Sequence, residues 1–144
     1  TRRWGRCSRE VAMGMPIEVE QRVRWGELDA FGHVNNTVFF RWFEDARIAL
    51  FEEVGIETNT PTGVAPILAT TTCDFLAPVT FPGRVVAGCR VAKLGRTSFV
   101  TEYELRCGEQ LVGRGSGVLV MVDYGSGEKV PLSEALRGAL ERFR

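Results

Sequence analysis

"GELDAFGHVNNTVFFRWFEDARIALFEEVGI", residues 26–56, changes character partway along. From Thr37 onward its apolar residues recur at helical spacing. Phe39, Trp42, Phe43, Ala46, Ala49, Leu50 and Val54 form one stripe. Phe40, Ile48 and Phe51 widen that stripe beyond an ordinary amphipathic face, so a helix over 37–54 is expected to be enclosed by the rest of the chain. Asn35 or Asn36 serves as its N-cap and Gly55 as its stop. Its charges can pair along the helix as Arg41–Asp45 and Glu44–Arg47. Ahead of the helix stand a carboxylate (Asp29), the single histidine of the chain (His33) and two asparagines. Such a gathering is either plain capping or a reaction site.

Outward from the helix, the chain reads as strands. "PIEVEQRVRW" (16–25) puts Ile17, Val19, Val23 and Trp25 on one face and charged residues on the other. A loop over 57–66 leads into "ILATTTCDFLAPVTF", an extended segment interrupted at Pro78. Pro82-Gly83, Gly95-Arg96 and Cys107-Gly108-Glu109 are turns, separating "RVVAGCRVAKL", "TSFVTEYELR" and "QLVGRGSGVLVMVDY". Gly113, Gly115 and Gly117 share one strand face, where glycine signals close approach of another element. The enclosed helix is the expected neighbour. From Ser133, Leu136, Leu140 and Phe143 outline a short amphipathic helix. A strand, a long helix and four long antiparallel strands suggest an α+β fold: a curved sheet wrapped around one helix.

Composition bounds the function. The chain has 144 residues, 44% hydrophobic and 25% charged, with 18 basic and 18 acidic side chains. Zero net charge offers no broad footprint for nucleic acid and no polybasic membrane anchor. No apolar run approaches the ~20 residues that span a bilayer. The four cysteines lack CxxC spacing and the histidine has no histidine partner, so no metal site is expected. Cys73, Cys89 and Cys107 read as small strand residues of a protein in the reducing cytoplasm. Residues 1–14 read as an N-terminal extension, leaving 15–144 as a single domain.

Asp29 with Gly32, "HVNNTVFFRWFEDAR", "CDFLAPVTFPGRV" and "KLGRTSF" together resemble the hotdog-fold thioesterases of the 4-hydroxybenzoyl-CoA thioesterase type, over about Ile17 to Val122. The "GHVNN" run is also similar to acyl-ACP thioesterases. The resemblance implies a hotdog fold, acyl-CoA as substrate and thioester hydrolysis without cofactor. It also implies a homodimer or a dimer-of-dimers tetramer in which the partner completes the active site. An acyl-ACP thioesterase and a non-enzymatic acyl-CoA-binding protein are the alternatives.

Each candidate residue has a chemical reason. Thioester hydrolysis needs a nucleophilic carboxylate or a general base. Asp29 sits where the positive helix end stabilises it, and the resemblance makes it the catalytic carboxylate. Orphan N–H groups around Val34 to Asn36 are placed to bind a developing oxyanion. His33 belongs to the active site in the acyl-ACP enzymes, but the sequence departs from them at Phe31, where they carry asparagine. His33 and Asn36 are therefore assigned to positioning. Glu44, two turns into the helix, either meets a polar group on the acyl moiety or pairs with Arg47. Lys93, Arg96 and Ser98 around Gly95 either hold CoA phosphates or are solvated hairpin residues. Lyase chemistry on the same fold is disfavoured: Thr80, not histidine, precedes "FPG", and Phe31-Gly32 fill the gap between Asp29 and His33.

Overall fold

The computed structural model of the chain describes residues 14–59 and 63–144, so the expected extension lies, Gly14 apart, outside the described residues. Five strands, β1 (Ile17–Arg22), β2 (Val64–Phe75), β3 (Arg84–Leu94), β4 (Ser98–Cys107) and β5 (Gln110–Asp123), form one sheet in the order β1-β3-β4-β5-β2. Every pairing is antiparallel. Helix α1 (Asn36–Val54) packs on one face, and the short helix α2 (Glu134–Glu141) closes the chain. This is the hotdog arrangement.

Helix α1 starts and stops as its sequence dictates. The Asn35 side chain accepts the Thr37 N–H at 2.9 Å, and Gly55 ends the helix with φ 81°, a conformation glycine adopts without steric penalty. Phe39, Trp42, Phe43, Ala46, Leu50 and Phe51 are buried against the sheet. Phe43 stacks on Tyr103 with centroids 4.7 Å apart, and Phe51 meets Phe99 edge-on. The glycine face of β5 is where the helix comes closest. A Cβ on Gly113 would lie 3.0 Å from the Phe39 ring, and one on Gly115 would lie 2.7 Å from Phe43 and 2.0 Å from the Thr72 carbonyl oxygen. Only glycine admits the helix at that depth.

Several details differ from the sequence pattern. Strand β1 ends at Arg22, and Trp25 is 73% exposed at the start of a 3-10 turn, Trp25–Glu27. The reason is local: the β1–β3 pairing runs out with the Val23 N–H on the carbonyl of Gly83, where β3's own turn begins, and the Glu27 carboxylate caps the Arg24 N–H. Arg41 pairs with Glu27 rather than with Asp45, because this same turn packs beside the first turns of α1. The Glu44–Arg47 pair does form, at 3.8 Å. Phe40 and Ile48 are only half-buried, and Arg41, Glu44, Glu52 and Glu53 face solvent, so one side of α1 stays open. Strand β2 begins at Val64, within the expected loop, and its Pro66 is tolerated because β2 is an edge strand. Cys73 and Cys89 are free thiols, whereas Cys107 is disulfide-bonded, unlike the plain strand thiol expected of it. No helix among the described residues is long and apolar enough to cross a membrane.

Candidate active site

The segment before α1 is a tight, internally hydrogen-bonded loop. Asp29 Oδ1 accepts the N–H of Phe31 at 2.8 Å and that of His33 at 3.2 Å. The Asp29 N–H donates to the His33 carbonyl at 2.7 Å, and the Gly32 N–H donates to the Asp29 carbonyl with Gly32 at φ 77°. Asp29 therefore does shape a turn. Its second oxygen, Oδ2, has no hydrogen-bond partner among the described residues.

The main-chain donors at the helix mouth are not equivalent. The Val34 N–H donates to Val79 O and the Asn35 N–H to Glu27 O, both at 2.8 Å. Thr37 N–H is capped by the Asn35 side chain, and Val38 N–H donates to Asn35 O. Of the three groups expected to bind an oxyanion, only the Asn36 N–H has no partner among the described residues. The sequence expectation narrows to that single donor.

Asp29, His33, Val34, Asn36 and Phe39 line one cleft of about 330 Å³ together with Phe75, Leu76, Ala77 and Pro78. The second wall comes from the end of β2 and the chain beyond it, where Leu76 and Ala77 N–H groups donate to Val112 O. That wall is apolar and rests on Phe39, whose ring centroid is 5.1 Å from that of Phe75. None of its members is a site candidate in the sequence. The signal available is "DFLAP", whose Pro78 marks a strand end but not what faces it.

The remaining candidates lie elsewhere. Glu44 is 60% exposed at its side chain and is absent from the cleft. Lys93, Arg96 and Ser98 sit at the β3–β4 turn, closed by the Gly95 N–H donating to Ser98 O at 2.7 Å. Arg137 of α2 donates to Gly95 O at 2.8 Å, and Leu132 N–H to Arg96 O at 2.9 Å, so the C-terminal segment braces this turn. The turn and the Asp29 cleft occupy opposite ends of the sheet. Gly113 of β5 lies under Phe39 and Val120 pairs with Ser98, a separation of roughly 24 Å of strand. One chain does not bring its cations to its carboxylate. No group of His, Cys, Asp and Glu among the described residues could hold a metal ion.

The Thioesterase-like superfamily matches residues 23–140. The chain belongs to that superfamily. Among curated relatives, the uncharacterized protein YsmA of Bacillus subtilis is 30% identical over 126 residues, covering 85% of this chain and 83% of YsmA. Acyl-acyl carrier protein thioesterase ATL2 of Arabidopsis thaliana is 35% identical over 77 residues, 52% of this chain but only 41% of ATL2. Among solved structures, a Thermus thermophilus thioesterase complexed with coenzyme A and Zn superposes with a TM-score of 0.77 at 32% identity, covering 88% of this chain and 98% of that one. A thioester hydrolase of hotdog fold is what these similarities and the architecture jointly support.

Proposed function

We propose that this thioesterase-superfamily chain hydrolyses acyl-CoA, with Asp29 as the base or nucleophile. The observation that carries the reading is the pairing in one cleft of Asp29 and Asn36, whose Oδ2 and main-chain N–H, respectively, have no hydrogen-bond partner among the described residues. As base, Asp29 takes a proton from water and the resulting hydroxide attacks the thioester carbon. As nucleophile, it attacks that carbon directly, and water then cleaves the acyl-aspartyl anhydride. In either case the carbonyl oxygen gains negative charge next to the Asn36 N–H and the positive end of α1. Collapse expels the thiolate of CoA. His33 and the Asn36 side chain position the thioester. Glu44, at the open side of α1, lies toward the acyl end.

The Lys93–Arg96–Ser98 turn serves as the phosphate site in a homodimer. Strand β2 is a 12-residue edge with Asp74 as its one charged residue, whereas β1, the other edge, has three charges in six residues. A long, nearly uncharged edge is the one that pairs with another chain. If two copies join β2 to β2 antiparallel about a two-fold axis, the partner's Val64 end falls beside the Phe75 end of the first chain. The partner's β3–β4 turn then arrives at the end of the sheet that holds Asp29. That places cations and carboxylate within the span of one extended thioester substrate. A tetramer would be two such dimers.

A second reading, an acyl-ACP thioesterase, is favoured by the likeness to ATL2 over half of this chain. The test is a steady-state screen of acyl-CoAs with short, long and aromatic acyl groups beside the same acyl groups on a carrier protein. Hydrolysis of CoA thioesters with comparable or higher kcat/KM sustains the first reading. Preference for the carrier protein transfers it to the second, and binding without turnover leaves a non-enzymatic acyl-CoA-binding protein.

A further inference from the structure

Past the Asp29 cleft, which Phe39 and Phe75 line, the exposure of β2's helix-facing residues leaves an apolar groove beside α1. Phe75 and Leu68 both lie on the helix-facing side of β2, Phe75 against Phe39 and Phe40 and Leu68 over Gly117. Yet they are 47% and 37% exposed, because α1 does not close over them. The floor passes from Gly115, under the Phe43 ring, to Gly117. There the nearest atoms to a Cβ would be the Leu68 tip at 3.2 Å, the Tyr103 hydroxyl at 3.2 Å and Thr101 Oγ1 at 3.4 Å. The apolar groove thus ends on a polar cluster.

Arg47 belongs to that cluster and is short of partners. It is 6% exposed, and a guanidinium has five N–H donors. Its single hydrogen bond among the described residues runs from Nη1 to the Tyr103 hydroxyl at 3.1 Å. Glu44 Oε2 stands 3.8 Å from Nη2, outside hydrogen-bonding reach, with most of its side chain in solvent. The Tyr103 hydroxyl is shared with Thr101 Oγ1 at 2.5 Å. Burial keeps both Tyr103 and the nearby Cys89 protonated, so neither supplies an anion. A buried cation without a close, desolvated acceptor is costly, and guanidinium is suited to a planar, bidentate oxygen ligand.

We propose that Arg47 reads a carboxylate at the far end of the acyl group, making the substrate class ω-carboxyacyl thioesters. This rests on the thioesterase reading above. From Asn36 to Arg47 is about three helical turns, roughly 16 Å, and the side chain leans back toward the helix N-terminus. An extended acyl chain of medium length bridges that interval. The groove holds its methylenes against Phe40, Leu68 and Phe75, and the carboxylate meets guanidinium N–H groups that have no hydrogen-bond partner among the described residues.

The experiment compares medium-chain ω-carboxyacyl-CoAs with their terminal methyl esters, beside unsubstituted acyl-CoAs, on the full-length protein. A charge-assisted hydrogen bond predicts a kcat/KM ratio of about tenfold or more for acid over ester. In Arg47→Met, of similar volume, the ratio should fall to near one while unsubstituted acyl-CoAs are still cleaved. Arg47→Lys, which keeps the charge without the fork, should give an intermediate ratio and decides the matter if the methionine variant does not fold. A wild-type ratio near one, or a high ratio unchanged in the variants, overturns the assignment. Loss of the dimer in Arg47→Met with the ratio intact also overturns it, since Arg47 would then be answering a partner's carboxylate. If the unsubstituted acyl-CoAs alone are cleaved, this inference fails and the thioesterase reading stands. If no thioester is cleaved, both fail.

Discussion

Asp29 and His33 hold each other through the main chain: the Asp29 N–H donates to the His33 carbonyl at 2.7 Å, and Asp29 Oδ1 takes back the His33 N–H at 3.2 Å. The carboxylate has two separable duties, with one oxygen closing the loop and the other without a hydrogen-bond partner among the described residues. Asparagine retains an Oδ1 acceptor and removes the base or nucleophile. Asp29→Asn should therefore lower kcat by at least ~10²-fold with KM and Tm little changed. Asp29→Ala should add a loss of about 1 kcal/mol in stability, the scale of a removed capping acceptor. Steady-state kinetics and denaturant melts on the same preparations check both, and an unimpaired Asp29→Asn enzyme would sink the mechanism.

Closeness of helix and sheet makes the glycine face a graded test. A methyl on Gly115 would meet the Thr72 carbonyl oxygen at 2.0 Å and the Phe43 ring at 2.7 Å, so backbone or helix must move. On Gly117 the nearest atoms stand at 3.2 Å or more, and one is the tip of a flexible leucine. Gly115→Ala should lose about 3 kcal/mol or more, at the upper end of overpacking penalties, and Gly117→Ala distinctly less. Equal losses in urea denaturation would mean that α1 does not sit at this depth.

The free thiols among the described residues, Cys73 and Cys89, should titrate and react late. Burial, reinforced by the Asp74 carboxylate, pushes Cys73 up to about 11, and burial pushes Cys89 up to about 12 despite the neighbouring Arg47. A raised thiol pKa means less thiolate at a given pH, so both sites react slowly with a disulfide reagent at pH 8. Cys73, half-buried on the edge strand, should go first, and Cys89 only as the protein unfolds. Rapid labelling of Cys89 in native conditions would contradict its burial.

Much of the fold was legible because its signals are local. Helical spacing from Phe39 to Val54, the Asn35 cap, the Gly55 stop and the β5 glycines each require only a short window of sequence. Trp25 is misplaced because strand alternation in the sequence continues past Val23, where the β1–β3 pairing ends on Gly83, a partner 60 residues downstream. The site was legible on one wall alone. Asp29, His33 and Asn36 come from one segment, whereas Phe75 to Pro78 reach them only through the folded sheet. Arg47 reads in the sequence as the ion-pair partner of Glu44, since the spacing is right, and nothing local shows how deeply it is buried. Spacing is equally silent about which end of the sheet a turn occupies.

Removing the cations of that distant turn separates binding from chemistry. Lys93→Ala with Arg96→Ala should raise KM for acyl-CoA more than it lowers kcat, because contacts to the remote nucleotide act on ground and transition states alike. Arg137, which donates to Gly95 O, should show a milder effect when changed to Ala by loosening the turn. Activity on an acyl-pantetheine lacking the nucleotide should be unaffected by the double substitution. An equal loss on both thioesters would remove the turn from the phosphate site.

Assembly is the remaining condition on all of this, because Asp29 and the Lys93–Arg96 turn lie at opposite ends of one chain. The unpaired edge of β2 exposes Val64, Ile67 and Leu68 along a strand with a single charge, and such edges are normally covered or paired. A two-fold β2–β2 junction satisfies those main-chain groups and turns two sheets into one. The minimal active unit should therefore be a dimer, seen by sedimentation at assay concentrations. Placing a lysine at Ile67 or a proline at Thr70, both on that edge, should weaken the dimer and lower kcat/KM together. Mixing Asp29→Asn with the Lys93→Ala, Arg96→Ala double variant gives the sharper readout. If each site draws its carboxylate from one chain and its cations from the other, mixed dimers regain one site with wild-type KM for acyl-CoA. A fully active monomer, or no recovery on mixing subunits shown to exchange, would refute the shared site, while a tetramer built from such dimers would leave it intact.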